Sequence, residues 1–178
     1  MRIIGGRLNR RHITPPAGLP VRPTTDKAKE ALFNILTNYI DFEKVRVLDL
    51  FSGTGSIAFE FASRNAIEVV AIDNHLRCIR FIKEIKEKFR LENLTALKTD
   101  AFRFLKSHKS SFDIIFCDPP YGMKGIEAIP DIVFQNQLLL PEGYLIMEHS
   151  GNVQMDHHPA FKFKRHYSKV HFSFFEAI

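Results

Sequence analysis

VRVLDLFSGTG, residues 45–55, is the stretch around which the rest of the chain is arranged. Its first six residues predict a buried β-strand, its glycines predict a tight turn, and a helix is expected to begin near Ser56. This order is typical of α/β proteins that hold an adenine-containing cofactor, because the first turn of such a helix offers free N–H groups. The spacing of Gly53, Gly55 and Ala58 also fits the dinucleotide fingerprint that ends in glycine or alanine.

Apolar stretches of strand length alternate with stretches of helical period from residue 45 onward. Strands are predicted at residues 45–50, 68–72, 94–99, 112–117 and 143–148. Helices are predicted at residues 56–63, 79–89 and 102–105, and within 126–137, where Pro130 must start or kink the helix. An earlier helix is expected after Thr24 or Thr25, either of which can cap it, with an apolar face that extends to Tyr39. Residues 161–177 alternate on both sides of a Tyr-Ser-Lys turn, which predicts an antiparallel hairpin. The alternation predicts an α/β fold with a mostly parallel sheet and helices on both faces.

Four aspartates follow four successive predicted strands, at Asp49, Asp73, Asp100 and Asp118. Ligands of open α/β sheets bind outside the carboxyl ends of the strands, so these side chains are expected around one ligand. Asp73 follows Gly55 by 18 residues, where an acid can accept hydrogen bonds from ribose hydroxyls. Asp100 with Ala101 is expected at the edge of the adenine.

Composition excludes several classes of protein. The 178 residues suit one packed core, and no apolar run reaches the roughly 20 residues that a membrane helix needs. The first eleven residues are too polar for a secretory signal, so we expect a cytoplasmic protein. Cys78 and Cys117 are too few for a disulfide framework or a zinc site, and the histidines show no paired ligand spacing, so no metal is expected.

The net charge of +5 is unevenly distributed. Residues 1–25 hold five arginines and no acid, and residues 157–171 hold three lysines and one arginine, again without an acid. Basic clusters of this kind suit the binding of a polyanion such as nucleic acid. The same pattern is also compatible with a solvated surface and a flexible N-terminal arm. We therefore predict a basic N-terminal arm at residues 1–24 and an α/β domain at residues 25–178.

The motifs together resemble one family. DLFSGTG, the acids that end strands two and three, and DPPY at residues 118–121 are similar to the motifs of S-adenosylmethionine-dependent amino methyltransferases. The N-terminal MRIIGG and RPTTDKAKEALFNIL narrow the resemblance to the RsmD family, which methylates the exocyclic N2 of a guanine in small-subunit (16S) ribosomal RNA. The resemblance covers residues 1–148. It implies a Rossmann-like seven-stranded, mostly parallel sheet in which the last strand inserts antiparallel, and S-adenosylmethionine as cofactor.

The resemblance and the strand-end positions assign residues to three groups. The catalytic residues are expected to be Asp118, Pro119, Pro120 and Tyr121. The cofactor-binding residues are expected to be Asp49, Phe51, Ser52, Gly53, Thr54, Gly55, Asp73, Asn74, Asp100, Ala101 and Phe102. The RNA-binding residues are expected to be Arg2, Arg7, Arg10, Arg11, Arg22, Thr24, Thr25 and Lys27.

The sequence DPPY suits methylation of an amine on a base. Asp118 can accept one hydrogen bond from the NH₂ group and a backbone carbonyl near Pro119 can accept another, which aims the nitrogen lone pair at the methyl group. The prolines fix φ and so hold that carbonyl in place. Tyr121 can stack on the base, and such stacking is worth on the order of 1–3 kcal/mol.

Other functions fit parts of the sequence. A DNA or RNA methyltransferase acting on adenine N6 or cytosine N4 would use the same DPPY chemistry. A nicotinamide-dependent dehydrogenase would use the glycine spacing but gives DPPY no role. A non-enzymatic RNA-binding module would explain the basic arm but not four acids at strand ends. The expected partner is small-subunit ribosomal RNA, free or within a partly assembled subunit, and the protein is expected to act as a monomer.

Overall fold

The computed structural model describes residues 1–19 and 25–178. Arg22 and Thr24, two of the residues expected to bind RNA, lie outside these described residues. The α-helices of the described chain are α1 (Asp26–Leu36), α2 (Ser56–Ser63), α3 (Leu76–Phe89), α4 (Ala101–Ser107) and α5 (Ile129–Gln135). The strands are β1 (Arg46–Asp49), β2 (Glu68–Asp73), β3 (Leu94–Lys98), β4 (Phe112–Cys117), β5 (Leu139–His149), β6 (Phe161–Tyr167) and β7 (Val170–Glu176).

The strands form a single mixed sheet in the order β3-β2-β1-β4-β5-β7-β6. The pairs from β3 to β5 are parallel, whereas β7 pairs antiparallel with β5 and with β6. The predicted fold is therefore confirmed, including the antiparallel C-terminal hairpin. After β3 the chain crosses back over β1 to enter β4, so the carboxyl ends of β1 and β4 lie side by side at the point where the direction of winding reverses.

Helices cover both faces of the sheet because the strand residues are apolar on both sides. Val47 and Phe116 contribute to the core beneath α1, α2 and α3, whereas Leu48 and Ile115 contribute to the core beneath α4 and α5. Asp49, two residues after Val47 on β1, faces the first of these two cores. On β5, Glu148 follows Ile146 on that same side.

The N-terminal segment packs onto the α/β body. Ile3, Leu8 and Ile13 are buried in the same core as α1 and α2. The Leu8 amide donates to Ser63 Oγ at 2.9 Å, and the Ile4 amide donates to Glu60 Oε2 at 3.0 Å, so the segment follows α2. Residues 1–13 thus share the core of the domain, while the division at residue 24 stays a prediction.

The ends of several elements differ from the sequence-based expectation. Thr25 caps α1, where its side chain accepts a hydrogen bond from the Ala28 amide, as predicted. That helix ends at Leu36, before Tyr39. Pro130 lies in the first turn of α5, where its missing N–H costs nothing. Strand β5 begins at Leu139, four residues before the predicted start, because Leu139 already pairs with Phe112; extra residues in β5 then shift the register before Tyr144 pairs with Ile114.

Candidate active site

The glycine turn after β1 brings the start of α2 to the carboxyl edge of the sheet. Gly53 and Gly55 both have positive φ, at 50° and 78°. A Cβ on Gly55 would come within 2.9 Å of Ile82 Cγ1 and of the Phe59 ring, so packing as well as backbone conformation requires glycine there. Helix α2 begins at Ser56, and the Gly55 that precedes it provides no side-chain cap. Asp49 accepts from the Ala58 amide, so the free N–H groups that remain at this edge are those before Ala58.

The other residues of this turn have structural partners. The Ser52 amide and Ser52 Oγ each donate to the Ile72 carbonyl at 2.9 Å, which ties the turn to β2. Thr54 is buried, and its hydroxyl contacts Met1 Sδ at 3.8 Å. Phe51 is half-buried against the core beneath α4 and α5. These three residues shape the turn, and their contact with a cofactor stays a prediction.

Asp73 joins the ends of β1 and β2. Its Oδ2 accepts a hydrogen bond from the Gly53 amide at 2.9 Å, and its Oδ1 accepts one from the His75 amide at 2.7 Å. Each carboxylate oxygen has a second lone pair, so Asp73 can still accept hydrogen bonds from ribose hydroxyls. The structure adds a positioning role that the spacing did not predict, since Asp73 fixes the glycine turn.

A cleft of about 310 Å³ opens beside Asp73, between the ends of β2 and β3. Asp100 caps α4, where its Oδ1 accepts from the Arg103 amide at 2.9 Å; Ala101 is buried and Phe102 half-buried behind it. The residues that line the cleft are Asn74, Lys98, Thr99, Asp100 and Arg103. Sequence reasoning missed Lys98, Thr99 and Arg103, although they flank Asp100 in the chain.

Asp49 is almost fully buried, with 1% of its side chain exposed. Its Oδ2 accepts a hydrogen bond from the Ala58 amide at 3.2 Å, in the first turn of α2. Within the described residues its Oδ1 has no hydrogen-bond partner. Burial, and next the charge of Asp118, raises the pKa of Asp49 to about 8. A buried carboxyl oxygen without a donor suits a ligand that brings a cation or an N–H group.

Glu148 is a further functional candidate that sequence reasoning missed. Cys117 and Met147 are register partners on β4 and β5, so the residues that follow them, Asp118 and Glu148, lie next to each other. Glu148 Oε2 is buried and finds no hydrogen-bond partner in the described part of the chain. Burial, followed by the Asp118 charge, raises the pKa of Glu148 to about 8. The sequence could have identified Glu148 by its position, because it is a fifth acid at the end of a predicted strand, like the four aspartates.

The DPPY segment leaves the carboxyl end of β4 directly beside these acids. Asp118 is half-buried, Pro119 is buried, and Pro120 is exposed. The Met123 amide donates to the Pro120 carbonyl at 3.0 Å, which closes a turn after the prolines. Tyr121 is 92% exposed, so its ring is available for stacking on a base. The structure thus brings the predicted catalytic segment and the glycine turn to one edge.

The basic residues of the N-terminal segment are not equivalent. Arg2, Arg10, Arg11 and Lys27 are exposed, and Thr25 is occupied as the cap of α1. Arg7 instead donates to the Phe89 and Arg90 carbonyls, at 3.2 and 2.6 Å, and so caps the last turn of α3. That turn lies at the amino edge of the sheet, opposite Asp118. The RNA-binding role of this group stays a prediction, with Arg7 the member whose side chain already has structural partners.

The described residues contain neither a metal-binding cluster nor a membrane-spanning helix. Across residues 1–19 and 25–178, no group of three or more His, Cys, Asp or Glu side chains is arranged to hold a metal ion. No helix in those ranges is long and apolar enough to cross a membrane. Both cysteines are buried free thiols, and burial raises the pKa of Cys117 well above its usual value.

Comparison with known proteins places the chain in a family. A family model described as Conserved hypothetical protein 95 matches residues 1–176. YlbH of Bacillus subtilis strain 168 is 32% identical over 159 residues, which are 87% of this chain and 85% of YlbH. Ribosomal RNA small subunit methyltransferase D of Buchnera aphidicola subsp. Acyrthosiphon pisum is also 32% identical, over 147 residues that span 82% of this chain and 76% of that protein.

The fold is shared with solved structures as well. The structure of yhhF from Escherichia coli matches with a TM-score of 0.88 over 99% of this chain and 97% of its own, at 22% identity. The family model spans nearly the whole chain, and the relatives above 30% identity cover more than four fifths of it. The family predicted from the motifs is therefore confirmed: the chain belongs to the Conserved hypothetical protein 95 family and is similar to a ribosomal RNA small subunit methyltransferase D.

Proposed function

We propose that this protein methylates the exocyclic N2 amine of a guanine in small-subunit ribosomal RNA, with S-adenosylmethionine as the methyl donor. The observation that carries the proposal is that Asp118–Tyr121 leaves β4 beside the glycine turn after β1, where the sheet reverses its winding. A methyl donor on the turn and an amine on Asp118 would then be neighbours. The relative from Buchnera aphidicola is named a ribosomal RNA small subunit methyltransferase, which supports the choice of RNA.

The residues at the edge of the sheet fit this cofactor. Asp49, with its unsatisfied buried oxygen, and the free N–H groups of α2 suit the amino acid end, which carries both charges. Asp73 suits the ribose, and the cleft that includes Asn74 and Asp100 suits the adenine. S-adenosylmethionine supplies a methyl group that is activated by a positively charged sulfur.

The chain's own residues orient and deprotonate the amine. The amino group of guanine is a poor nucleophile, because its lone pair is delocalised into the ring. Asp118 accepts a hydrogen bond from this NH₂, and a proline carbonyl accepts the second, which turns the lone pair toward the donor. The nitrogen loses one proton during the reaction, and the carboxyl groups of Asp118 and Glu148 are placed to receive it. Positioning of this kind is the main source of the rate enhancement.

The target guanine must leave its stack to reach Asp118. Tyr121 gives it a new stacking partner, since the ring is 92% exposed. Arg2, Arg10, Arg11 and Lys27 are exposed cations that can contact phosphates, which position the RNA without reading its sequence. Replacing Arg10 and Arg11 by alanine should weaken RNA binding and reduce its salt dependence, while the affinity for S-adenosylmethionine stays the same. Equal RNA affinity in that double variant would contradict the phosphate role.

Methyl transfer itself tests the proposal most directly. The protein, with a labelled methyl group on S-adenosylmethionine, is offered small-subunit ribosomal RNA, partly assembled small subunits and duplex DNA, and the products are digested to nucleosides. We expect label in N2-methylguanosine with the wild type and none with Asp118→Ala. Label in N6-methyladenine or N4-methylcytosine would refute the guanine assignment. The amount of label in free RNA, compared with that in partly assembled subunits, shows which of the two is the substrate. We expect the protein to act in the cytoplasm and as a monomer.

A further inference from the structure

The C-terminal hairpin brings a second basic surface to the same edge of the sheet as Asp118. Strand β7 starts at the carboxyl edge, because His171 is the register partner of His149, the last residue of β5. Tyr167 and Val170 pair across the turn of the hairpin. The turn residues Ser168 and Lys169 therefore lie at the edge where the DPPY segment leaves β4.

Register also places one arginine in line with the reactive acids. Glu148 pairs with Phe172, and Phe172 pairs with Arg165. Asp118, Glu148, Phe172 and Arg165 thus form one row across β4, β5, β7 and β6. At roughly 4.8 Å per strand, the Arg165 backbone is about 14 Å from that of Asp118. Paired residues point to the same side of a sheet, so Arg165 lies on the side that Glu148 faces.

Three of the four lysine and arginine side chains of this hairpin form no ion pair within the described chain. The fourth, Lys162, forms an ion pair with Glu176 at 2.6 Å. Lys164, Arg165 and Lys169 are exposed. The Arg165 guanidinium donates to the adjacent Lys164 carbonyl at 3.0 Å and lies 4.6 Å from the centre of the Phe163 ring. This set (Lys164, Arg165 and Lys169) is called the hairpin cations below.

Basic groups occupy both faces of the hairpin, because successive residues of a strand point to opposite faces. Lys164 shares its face with His149, His171 and His166, whose rings stack across the three strands with centres 5.9 and 5.7 Å apart. Arg165 lies on the other face together with Tyr167, which is 38% exposed. Since β6 is the outer strand of the sheet, both faces border the same outer edge.

We propose that the hairpin cations form a second RNA-binding surface, which holds phosphates of the strand that carries the target guanine. The inference rests on the proposed function, because it needs an RNA whose reactive base lies at Asp118. A separation of about 14 Å corresponds to roughly four steps of a stacked strand at 3.4 Å each. Phosphate contacts at this distance fix the register of the RNA while the base turns toward Asp118. Arg7, which already caps α3 at the opposite edge, cannot serve this purpose without giving up its carbonyl contacts.

The experiment compares two triple variants of the full chain. The first is Lys164→Ala, Arg165→Ala and Lys169→Ala. The control is Lys88→Ala, Lys106→Ala and Lys109→Ala, which removes three exposed cations near the amino edge of the sheet. Lys88 resembles Arg165 in lying close to a phenylalanine ring, at 5.5 Å from the centre of Phe89. Affinity for small-subunit ribosomal RNA is measured against salt concentration without S-adenosylmethionine, and cofactor affinity is measured separately by calorimetry.

We expect the hairpin variant to bind RNA more weakly and to lose about 2–3 from the slope of log affinity against log salt, at about 0.7–0.9 for each lost phosphate contact. The control variant should keep the wild-type slope, and both triple variants should keep the wild-type affinity for S-adenosylmethionine. A double variant that preserves the charge, Lys164→Arg and Lys169→Arg, should bind RNA like the wild type. Equal slopes in the two triple variants, or wild-type binding without salt dependence, would overturn the inference. Failure of the guanine assignment is a separate result, since it is read from the methylated nucleosides and not from binding.

Discussion

Glu148 lies directly beside Asp118, because the residues that precede them, Met147 and Cys117, are register partners on neighbouring parallel strands. Two carboxyl groups this close cannot both be ionised easily, and burial adds to the cost. Burial, and then the charge of Asp118, accordingly raises the pKa of Glu148 to about 8. Glu148 is therefore largely protonated near neutral pH, and it can receive a proton from the amine only as the pH rises through about 8.

Glu148→Gln should alter the rise of kcat/KM with increasing pH. In the wild type, kcat/KM is expected to rise between about pH 6 and 9 with an apparent pKa near 8, as Glu148 loses its proton. The glutamine is neutral throughout, so the part of the rise that Glu148 causes should be missing, and kcat/KM at pH 9 should be about tenfold lower. Both profiles are measured as initial rates of methyl transfer to RNA. An unchanged limb in the variant would show that another group titrates.

Asp49 gives the ligand-free protein a pH-dependent stability. Burial and the nearby acids raise its pKa from 3.8 to about 8 on folding, so the folded state binds its proton more tightly than the unfolded state. Its contribution to stability is therefore complete below about pH 4 and is lost as the pH rises through about 8. We expect the urea midpoint of the wild type to fall between pH 5 and 9, and that of Asp49→Asn to fall less. Parallel curves for the two proteins would contradict this account.

The order of strands and helices could be predicted from the sequence because each element carries a local signal. Period-two and period-3.6 patterns are visible in the residues themselves, and the aspartates mark where the strands end. Boundaries that depend on distant residues could not be predicted. Strand β5 begins at Leu139 only because Leu139 pairs with Phe112 on β4 ahead of a register shift within β5. Helix α1 ends before Tyr39, whose ring packs against Phe163 of the hairpin at 5.4 Å.

The same limit applies to the site. The glycine turn, the four aspartates and DPPY are contiguous or regularly spaced, so the sequence was sufficient to find them. Glu148 belongs to the site through its pairing with β4, which is a long-range property. Arg7 looked like the other arginines of the basic segment, yet its guanidinium contacts carbonyls 82 and 83 residues away. Burial and pairing of this kind exist only in the folded chain.

Tyr121 should act through its ring and not through its hydroxyl. It is 92% exposed, so replacing it removes no packing from the core. Tyr121→Ala is expected to lower kcat/KM for RNA by about 5- to 150-fold, which corresponds to a lost stacking energy of roughly 1–3 kcal/mol. Tyr121→Phe keeps the ring and should remain within about twofold of the wild type. If the phenylalanine variant loses as much activity as the alanine variant, the hydroxyl group is the part that matters.

Lys29 and Glu60 form a buried ion pair between α1 and α2, and both side chains are fully buried. Lys29 Nζ lies 3.6 Å from Glu60 Oε2 and donates to the Arg2 carbonyl at 2.6 Å, while Glu60 also accepts from the Ile4 amide at 3.0 Å. The pair thus connects the N-terminal segment to both helices. Burial lowers the pKa of Lys29, and the charge of Glu60 opposes that shift.

Removing Glu60 leaves Lys29 as a buried charge without its carboxylate, whereas removing Lys29 leaves Glu60 paired with Arg64 at 3.1 Å. Glu60→Gln should lower the free energy of unfolding by about 3–5 kcal/mol, Lys29→Met should lower it by less, and the double variant should lose clearly less than the sum. Urea unfolding of the four proteins in this cycle gives the coupling. The matched control is the exposed pair of Lys44 and Asp41, 2.9 Å apart with side chains 80% and 54% exposed, where Lys44→Met should leave the midpoint nearly unchanged. Additive losses in the buried cycle would mean that the two side chains stabilise the N-terminal segment independently, through packing and the backbone contacts alone.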